Sequence, residues 1–192
     1  MMEGQLLELP YGIMNKSEVV KNIIDGKIVA MFHGDSEWGP RALGNRSILF
    51  DPRNPNAKDI VNKVKRREWY RPFAGTILLE YVNDYFEMLT IKESPYMSYA
   101  IPAKQKAKDE VPGIIHVDGT CRIQTVTREQ NKYYYDLIEE FYKQTGVPML
   151  FNTSFNLAGE PLVETLEDAK DTVMRSDIDL LVCVPLERED SL

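Results

Sequence analysis

The sequence predicts an α/β domain built on one twisted, mixed β-sheet flanked by helices. Three observations lead there. Short apolar runs of strand length alternate with segments of helical period. An Asp118–Gly119 turn signal lies between two apolar runs, so the sheet includes an antiparallel hairpin. The 192 residues suit one domain, which at this size buries roughly 70% of its unfolded surface.

The elements follow in order. Ser17 is positioned to cap a first helix, with Glu18 in its first turn and Val19, Val20, Ile23 and Ile24 on its apolar face; Gly26 ends it. Ile28 to Phe32 reads as a buried strand. A glycine-rich turn from Gly34 to Gly44 leads to a second strand at Ser47–Phe50. Ala57 to about Arg67 is helical, with Ile60, Val61 and Val64 on one face. Thr76–Leu79 is a strand and Tyr81–Met88 a short helix. Lys104–Pro112, polar and bounded by prolines, reads as an exposed loop. Ile114–Val117 and Arg122–Thr127 form the predicted hairpin. Glu129 to Thr145 is the clearest helix: Tyr134, Leu137, Ile138, Phe141 and Tyr142 share one face, and Gly146 and Pro148 stop it. Val147–Phe151 is a strand running into a polar loop, Asn152–Gly159. Thr165 and Asp168 form a capping pair for a helix that turns Leu166, Ala169 and Val173 inward, and Leu180–Val184 is the last strand.

Composition narrows the function. Apolar residues make up 43% and charged residues 28%, ordinary for a folded domain and too apolar for disorder. No run approaches the ~18 apolar residues of a membrane span, and the opening MMEGQLLELPYG does not read as a secretory signal. Two cysteines, Cys121 and Cys183, cannot form a disulfide framework or a four-thiolate zinc site, so the expected setting is the reducing cytoplasm. Neither histidine has a partner at usual metal spacing, and no metal site is expected within the chain.

The net charge of −7 argues against general binding to nucleic acid or membranes. It is unevenly spread. Between Arg41 and Arg71 stand nine positive and three negative residues, a net of +6, which leaves −13 on the rest. Such a window suits a small polyanion such as a nucleotide. A solvated basic helix with acidic partners elsewhere explains the charge equally simply.

Four constellations carry the chemistry. In Glu37–Ser47, glycines permit close backbone approach, Pro40 can start a turn whose N–H groups face an anion, and Arg41 and Arg46 offer forked donors. The alternative is a structural turn whose arginines pair with Glu37 and Asp51. In Lys65–Phe73, a helix reaching Trp69 would let Lys65 and Arg71 hold one phosphate from two sides, while Trp69, Tyr70 and Phe73 stack on a base or pack in the core. Arg122 and Gln124 share one strand face, which suits a polar ligand or plain solvent. The loop after Phe151 gathers Asn152, Thr153, Ser154 and Asn156, as at an α/β ligand crevice or in a loop that satisfies its own backbone. No activated nucleophile is evident, so the four together favour electrostatic and positional catalysis on an anionic substrate.

These motifs resemble the C-terminal, YrdC-like domain of the O-carbamoyltransferases of nodulation-factor and antibiotic-tailoring type. The matching segments are EWGPRALGNRSIL, VNKVKRREWYRPFA, HVDGTCRIQTV, TGVPMLFNTSFNLAGEPLVETLEDA and IDLLV, in family order from about Lys27 to Val182 of a single domain spanning 1–192. Gly75-Thr76 and Cys121 depart from the family's more usual Pro-Ser and Ala. The resemblance implies an ATP site that also takes carbamoyl phosphate and forms an O-carbamoyl-adenylate, with Mg2+ accompanying the ATP. It implies Arg41, Lys65, Arg71 and Arg122 as phosphate and carbamoyl-side ligands, with Asn152 and Ser154 at the nucleotide and acyl-phosphate end. Arg46 and Asn156 join the expected binding set through their motifs. Lys65, Arg71 and Arg122 are the expected catalytic cations. The resemblance also implies a Kae1-like N-terminal module, which this chain lacks, as the site of transfer to a hydroxyl acceptor. Two other readings remain: a nucleotide-binding regulatory or scaffold domain, and a module related to tRNA threonylcarbamoylation. The acidic body outside one compact window counts against RNA.

Overall fold

The computed structural model describes residues 11–12, 14–39 and 41–184. Pro40, expected to start a turn, lies outside them. One eight-stranded mixed sheet organises the chain. Its strands are β1 (Tyr11–Gly12), β2 (Val29–His33), β3 (Arg46–Phe50), β4 (Ala74–Leu78), β5 (Ala100–Pro102), β6 (Thr120–Val126), β7 (Met149–Ser154) and β8 (Leu180–Val184). Their order is β1-β8-β2-β3-β7-β4-β6-β5. β8 runs parallel to β1 and β2, and β4 parallel to β6; the other neighbours are antiparallel.

The helices are α1 (Lys16–Ile24), α2 (Ala57–Val64), α3 (Val82–Tyr85), α4 (Gln105–Glu110), α5 (Lys132–Thr145) and α6 (Leu166–Met174). The helical periodicity of α5 is realised: Tyr134, Leu137, Ile138 and Phe141 are buried, each such side chain contributing about 1.5–3 kcal/mol. Its cap is Asn131, and Gly146 closes it at φ +76°. α5 packs on α1, β7 and β4, while α6 packs on β8 and β2. The Thr165–Asp168 capping box of α6 forms as expected.

Four local expectations are corrected. The cap of α1 is Asn15, not Ser17: Asn15 Oδ1 accepts the Glu18 N–H at 2.9 Å, and Glu18 returns the bond at 3.1 Å. Lys104–Pro112 is not all loop but contains α4, because Ala107 and Val111 are buried and anchor a single turn too short to show a periodic stripe. The Asp118–Gly119 turn exists, with Gly119 at φ +78°, but Ile114–Val117 is not a strand. Ile114 is drawn into the core against Gly75, so β6 pairs instead with β5. Finally, α2 stops at Val64. Arg66 adopts φ +53° and reverses the chain, so Lys65 and Trp69 do not share a helix face.

The register positions the site. Asn152 pairs with Ala74, and Ala74 with Arg122, so these three lie in one row across β7, β4 and β6. In the next row on the same face, Leu150, Thr76 and Gln124 are neighbours. The small Ala74 side chain leaves space between Asn152 and Arg122.

Candidate active site: an arginine-lined cleft at the sheet face

The loop between β2 and β3 forms one wall. A single carboxylate organises it: Glu37 accepts the N–H groups of Leu43 (2.8 Å), Asn45 (2.5 Å) and Arg46 (3.0 Å). Burial raises the Glu37 pKa while these bonds act to lower it. Gly44 donates its N–H to Ser47 Oγ at 3.0 Å. The loop therefore does not turn these amides toward an anion, as the sequence suggested; protein groups already occupy them. Its carbonyls matter more. Ala42 O accepts from Asn152 Nδ2 at 3.1 Å, and Leu43 O from Gln124 Nε2 at 3.2 Å.

Gly44 is required where it stands. Its φ is +121°, and an added Cβ would fall 2.3 Å from Tyr134 Cδ1, inside the core. Gly44→Ala is therefore expected to cost about 3 kcal/mol or more through strain and overpacking. Gly159→Ala, at φ +81° with open space around it, should cost much less. Thermal unfolding of the two variants checks the ranking.

The opposite wall is the turn after α2. Buried Asn62 donates to the carbonyls of Trp69 and Arg71, both at 3.1 Å, and accepts from Arg67 Nε at 2.6 Å. Arg67 lies over the Phe73 ring at 4.0 Å. The turn directs Arg66 to the Arg175 carbonyl and Arg67 inward.

Two spaces meet between these walls. A cleft of about 110 Å³ is lined by Arg41, Arg67, Arg122, Asn152 and Ser154, among others. A wider basin of about 620 Å³ is lined by Lys65, Arg67, Arg71, Ser154 and Asn156. Arg67 and Ser154 border both. The cations raise one another's energy. Burial, then the neighbouring Arg71 and Arg122, push Arg67 down to about 10; burial, then Arg41, lowers Arg122. A bound polyanion would relieve that repulsion. Two buried polar atoms of the cleft, Arg122 Nε and Asn152 Oδ1, have no hydrogen-bond partner among the described residues.

Most expected site residues thus meet, but their roles divide. Arg41, Arg122, Asn152 and Ser154 line the cleft. Lys65 is 2% exposed, and its Nζ donates to Ser154 O, to Asn156 O (2.8 Å) and to Asn156 Oδ1 (2.9 Å). Ser154 Oγ donates to Asn156 Oδ1 at 2.7 Å, and Ala158 N–H to Lys65 O at 2.9 Å. Lys65 is thus the clamp of the loop after β7. Arg71 stands at the rim, half exposed, with Nε 2.7 Å from Glu68. Arg46 borders neither space. It is 3% exposed, donates to the carbonyls of His33 and Gly34, and lies 3.8 Å over the Phe32 ring. Phe73 packs in the core, whereas Trp69 and Tyr70 are exposed. Arg67 was the residue sequence reasoning passed over. The available signal was the run Lys65-Arg66-Arg67, but a helix continued to Trp69 separates Arg67 from Lys65, and only the reversal at Arg66 brings them to one rim.

Burial, then the Arg67 charge, push Lys65 down to about 7. In the unfolded chain it titrates near ~10.4. Between these values the unfolded state holds more protons, so the Lys65 contribution to stability rises with pH from about 7 to ~10. The stability difference between wild type and Lys65→Met, measured by urea unfolding across that window, should grow with pH. A flat difference contradicts the burial argument.

Among the described residues, no helix is long and apolar enough to cross a membrane, and no cluster of His, Cys, Asp and Glu could hold a metal ion. The sheet with its covering helices defines an α/β domain of a fold shared with HypF and Sua5. Full-length HypF, solved in a phosphate- and nucleotide-bound form, superposes with a TM-score of 0.63 at 19% identity, covering 88% of this chain and 24% of that one. Sua5 of P. abyssi superposes with a TM-score of 0.60 at 12% identity, covering 95% and 54%. The chain belongs to the carbamoyltransferase C-terminus family, whose pattern matches residues 20–186. It is 46% identical over 168 residues to nodulation protein NolNO of Sinorhizobium fredii, covering 86% of this chain and 25% of that protein. It is 44% identical over 163 residues to nodulation protein NolO of Bradyrhizobium diazoefficiens, covering 84% and 30%. The chain therefore spans about a quarter to a third of these relatives.

Proposed function

We propose that the joined spaces bind MgATP and carbamoyl phosphate and form carbamoyl-adenylate. A Kae1-like N-terminal module, in the same chain or a separate one, then passes the carbamoyl group to a hydroxyl acceptor. The observation that carries this reading is the convergence of Arg41, Arg67 and Arg122 on a cleft whose buried Arg122 Nε and Asn152 Oδ1 lack partners among the described residues. Such a site asks for an anion that also bears N–H and C=O groups. The small cleft suits an acyl phosphate, and the wider basin the nucleotide. By atom balance, carbamoyl phosphate, ATP and water give carbamoyl-adenylate, phosphate and pyrophosphate. Water first cleaves the phosphoanhydride of carbamoyl phosphate, releasing phosphate and leaving carbamate; the carbamate oxygen then attacks the α-phosphorus of ATP and the P–O bond to pyrophosphate breaks. Fixed guanidinium groups supply the charge stabilisation this step requires.

The product is a mixed anhydride prone to hydrolysis, which favours an enclosed handover to a second module. The cytoplasm, where ATP is available and Cys121 and Cys183 stay reduced, is the setting this chemistry requires. Calorimetry with the 192-residue chain tests the substrate class. Binding of ATP and of carbamoyl phosphate, each stronger than binding of RNA at physiological salt, is expected. Tighter RNA binding overturns the reading in favour of a tRNA-modification role.

A further inference from the structure

Asn152 carries an inference that rests on the carbamoyl phosphate reading and deepens it. The residue is 1% exposed, and its amide is fixed in one orientation by two backbone carbonyls, which can only accept. Ala42 O takes a proton from Asn152 Nδ2 at 3.1 Å, and this places the nitrogen. Leu43 O takes one from Gln124 Nε2 at 3.2 Å, which turns Gln124 Oε1 back toward Asn152 Nδ2, 3.2 Å away. Thr76 Oγ1 donates to that same Gln124 oxygen at 2.8 Å and accepts from Asn152 Nδ2 at 3.0 Å. Reversing the Asn152 amide would set its oxygen against the Ala42 carbonyl. The assignment therefore leaves Oδ1 as an acceptor with no donor among the described residues, on a residue that lines the cleft.

Across the same sheet row, beyond Ala74, stands Arg122 with its unpartnered Nε donor. One end of the row accepts a hydrogen bond and the other donates one. A carbamoyl group has the matching pair, an NH2 donor and a C=O acceptor; an acetyl group has the acceptor alone.

We propose that Asn152 Oδ1 reads the NH2 of the carbamoyl group and so selects carbamoyl phosphate over acyl phosphates that lack an N–H. Acetyl phosphate, nearly the same shape with CH3 in place of NH2, leaves that buried acceptor unpaired. It should bind about 10- to 100-fold more weakly, the cost of one unsatisfied buried polar group.

The test is calorimetry of the wild-type chain with carbamoyl phosphate, acetyl phosphate and inorganic phosphate, repeated with Asn152→Leu and Asn152→Asp. Leucine should abolish the preference for carbamoyl over acetyl phosphate. Aspartate keeps an acceptor facing the cleft but sets its other oxygen against the Ala42 carbonyl, so it should cost stability and weaken all three anions while retaining the preference. A wild-type preference below about fivefold overturns the proposal, as does a folded Asn152→Leu variant that keeps it. The wild-type ratio decides alone if neither variant folds. Failure of all three anions to bind instead removes the carbamoyl phosphate reading itself.

Discussion

Arg122→Ala should lower carbamoyl-adenylate formation about 10²-fold or more, the loss expected when a positioned charge worth ~3 kcal/mol is removed. The protein should stay folded. Arg122 Nε has no partner among the described residues, so the substitution breaks no hydrogen bond seen at that atom, and it relieves the repulsion that lowers Arg67. Arg67→Ala should come close in activity loss but also cost some stability, because Arg67 bonds Asn62 and stacks on Phe73. Arg71→Ala should be the mildest of the three. Its charge is half exposed and paired with Glu68, so solvent and a carboxylate already screen it. The family resemblance implies Arg71 as one of three catalytic cations; its rim position leads us to expect the smallest loss of the three there. Single-turnover adenylate formation by the three variants, alongside their melting temperatures, checks the ranking.

Lys65→Ala should act differently, through the fold. An exposed cation could be removed with little effect on stability, but this side chain is buried. Its removal strips the donor from Ser154 O and from both acceptors of Asn156, and it opens a cavity under the loop. Stranded carbonyls and lost packing should together cost about 2–4 kcal/mol. For a domain of this size that lowers the melting temperature by roughly 5–15 °C. Activity should fall as well, because Ser154 and Asn156 border both spaces or the basin and lose their clamp. Ser154→Ala, which deletes one neutral hydrogen bond to Asn156, should be weaker on both counts. A Lys65→Ala variant with wild-type melting behaviour would contradict the clamp.

Much of the fold was legible because its elements announce themselves locally. The α5 stripe with its Gly146 stop, the Thr165–Asp168 box and the apolar run of the last strand are local signals; the box and the strand formed as read, and α5 formed from Lys132 rather than Glu129. What failed depended on distant partners. Ile114 looks like strand sequence until Gly75 offers it a hole in the core. Asn15 outcompetes Ser17 as a cap because Glu18 lies three residues beyond it and can return the bond.

The site divides along the same line. Residue type and motif picked out Arg41, Arg122, Asn152 and Ser154, which meet from the β2–β3 loop, β6 and β7. They could not show that Arg46 spends its guanidinium on the carbonyls of the β2–β3 loop. Nor could they show that an αL residue at Arg66 would bring Arg67 into the cleft. A basic run gives the charge of a site, and a single backbone reversal decides which of its members face the ligand.

Pyrophosphate exchange reports adenylate formation directly. The 192-residue chain is incubated with MgATP, labelled pyrophosphate and carbamoyl phosphate, and label entering ATP is measured. Exchange should require carbamoyl phosphate and be lost in Arg122→Ala. ATP binding with no carbamoyl phosphate-dependent exchange would contradict adenylate formation and leave a nucleotide-binding domain without turnover.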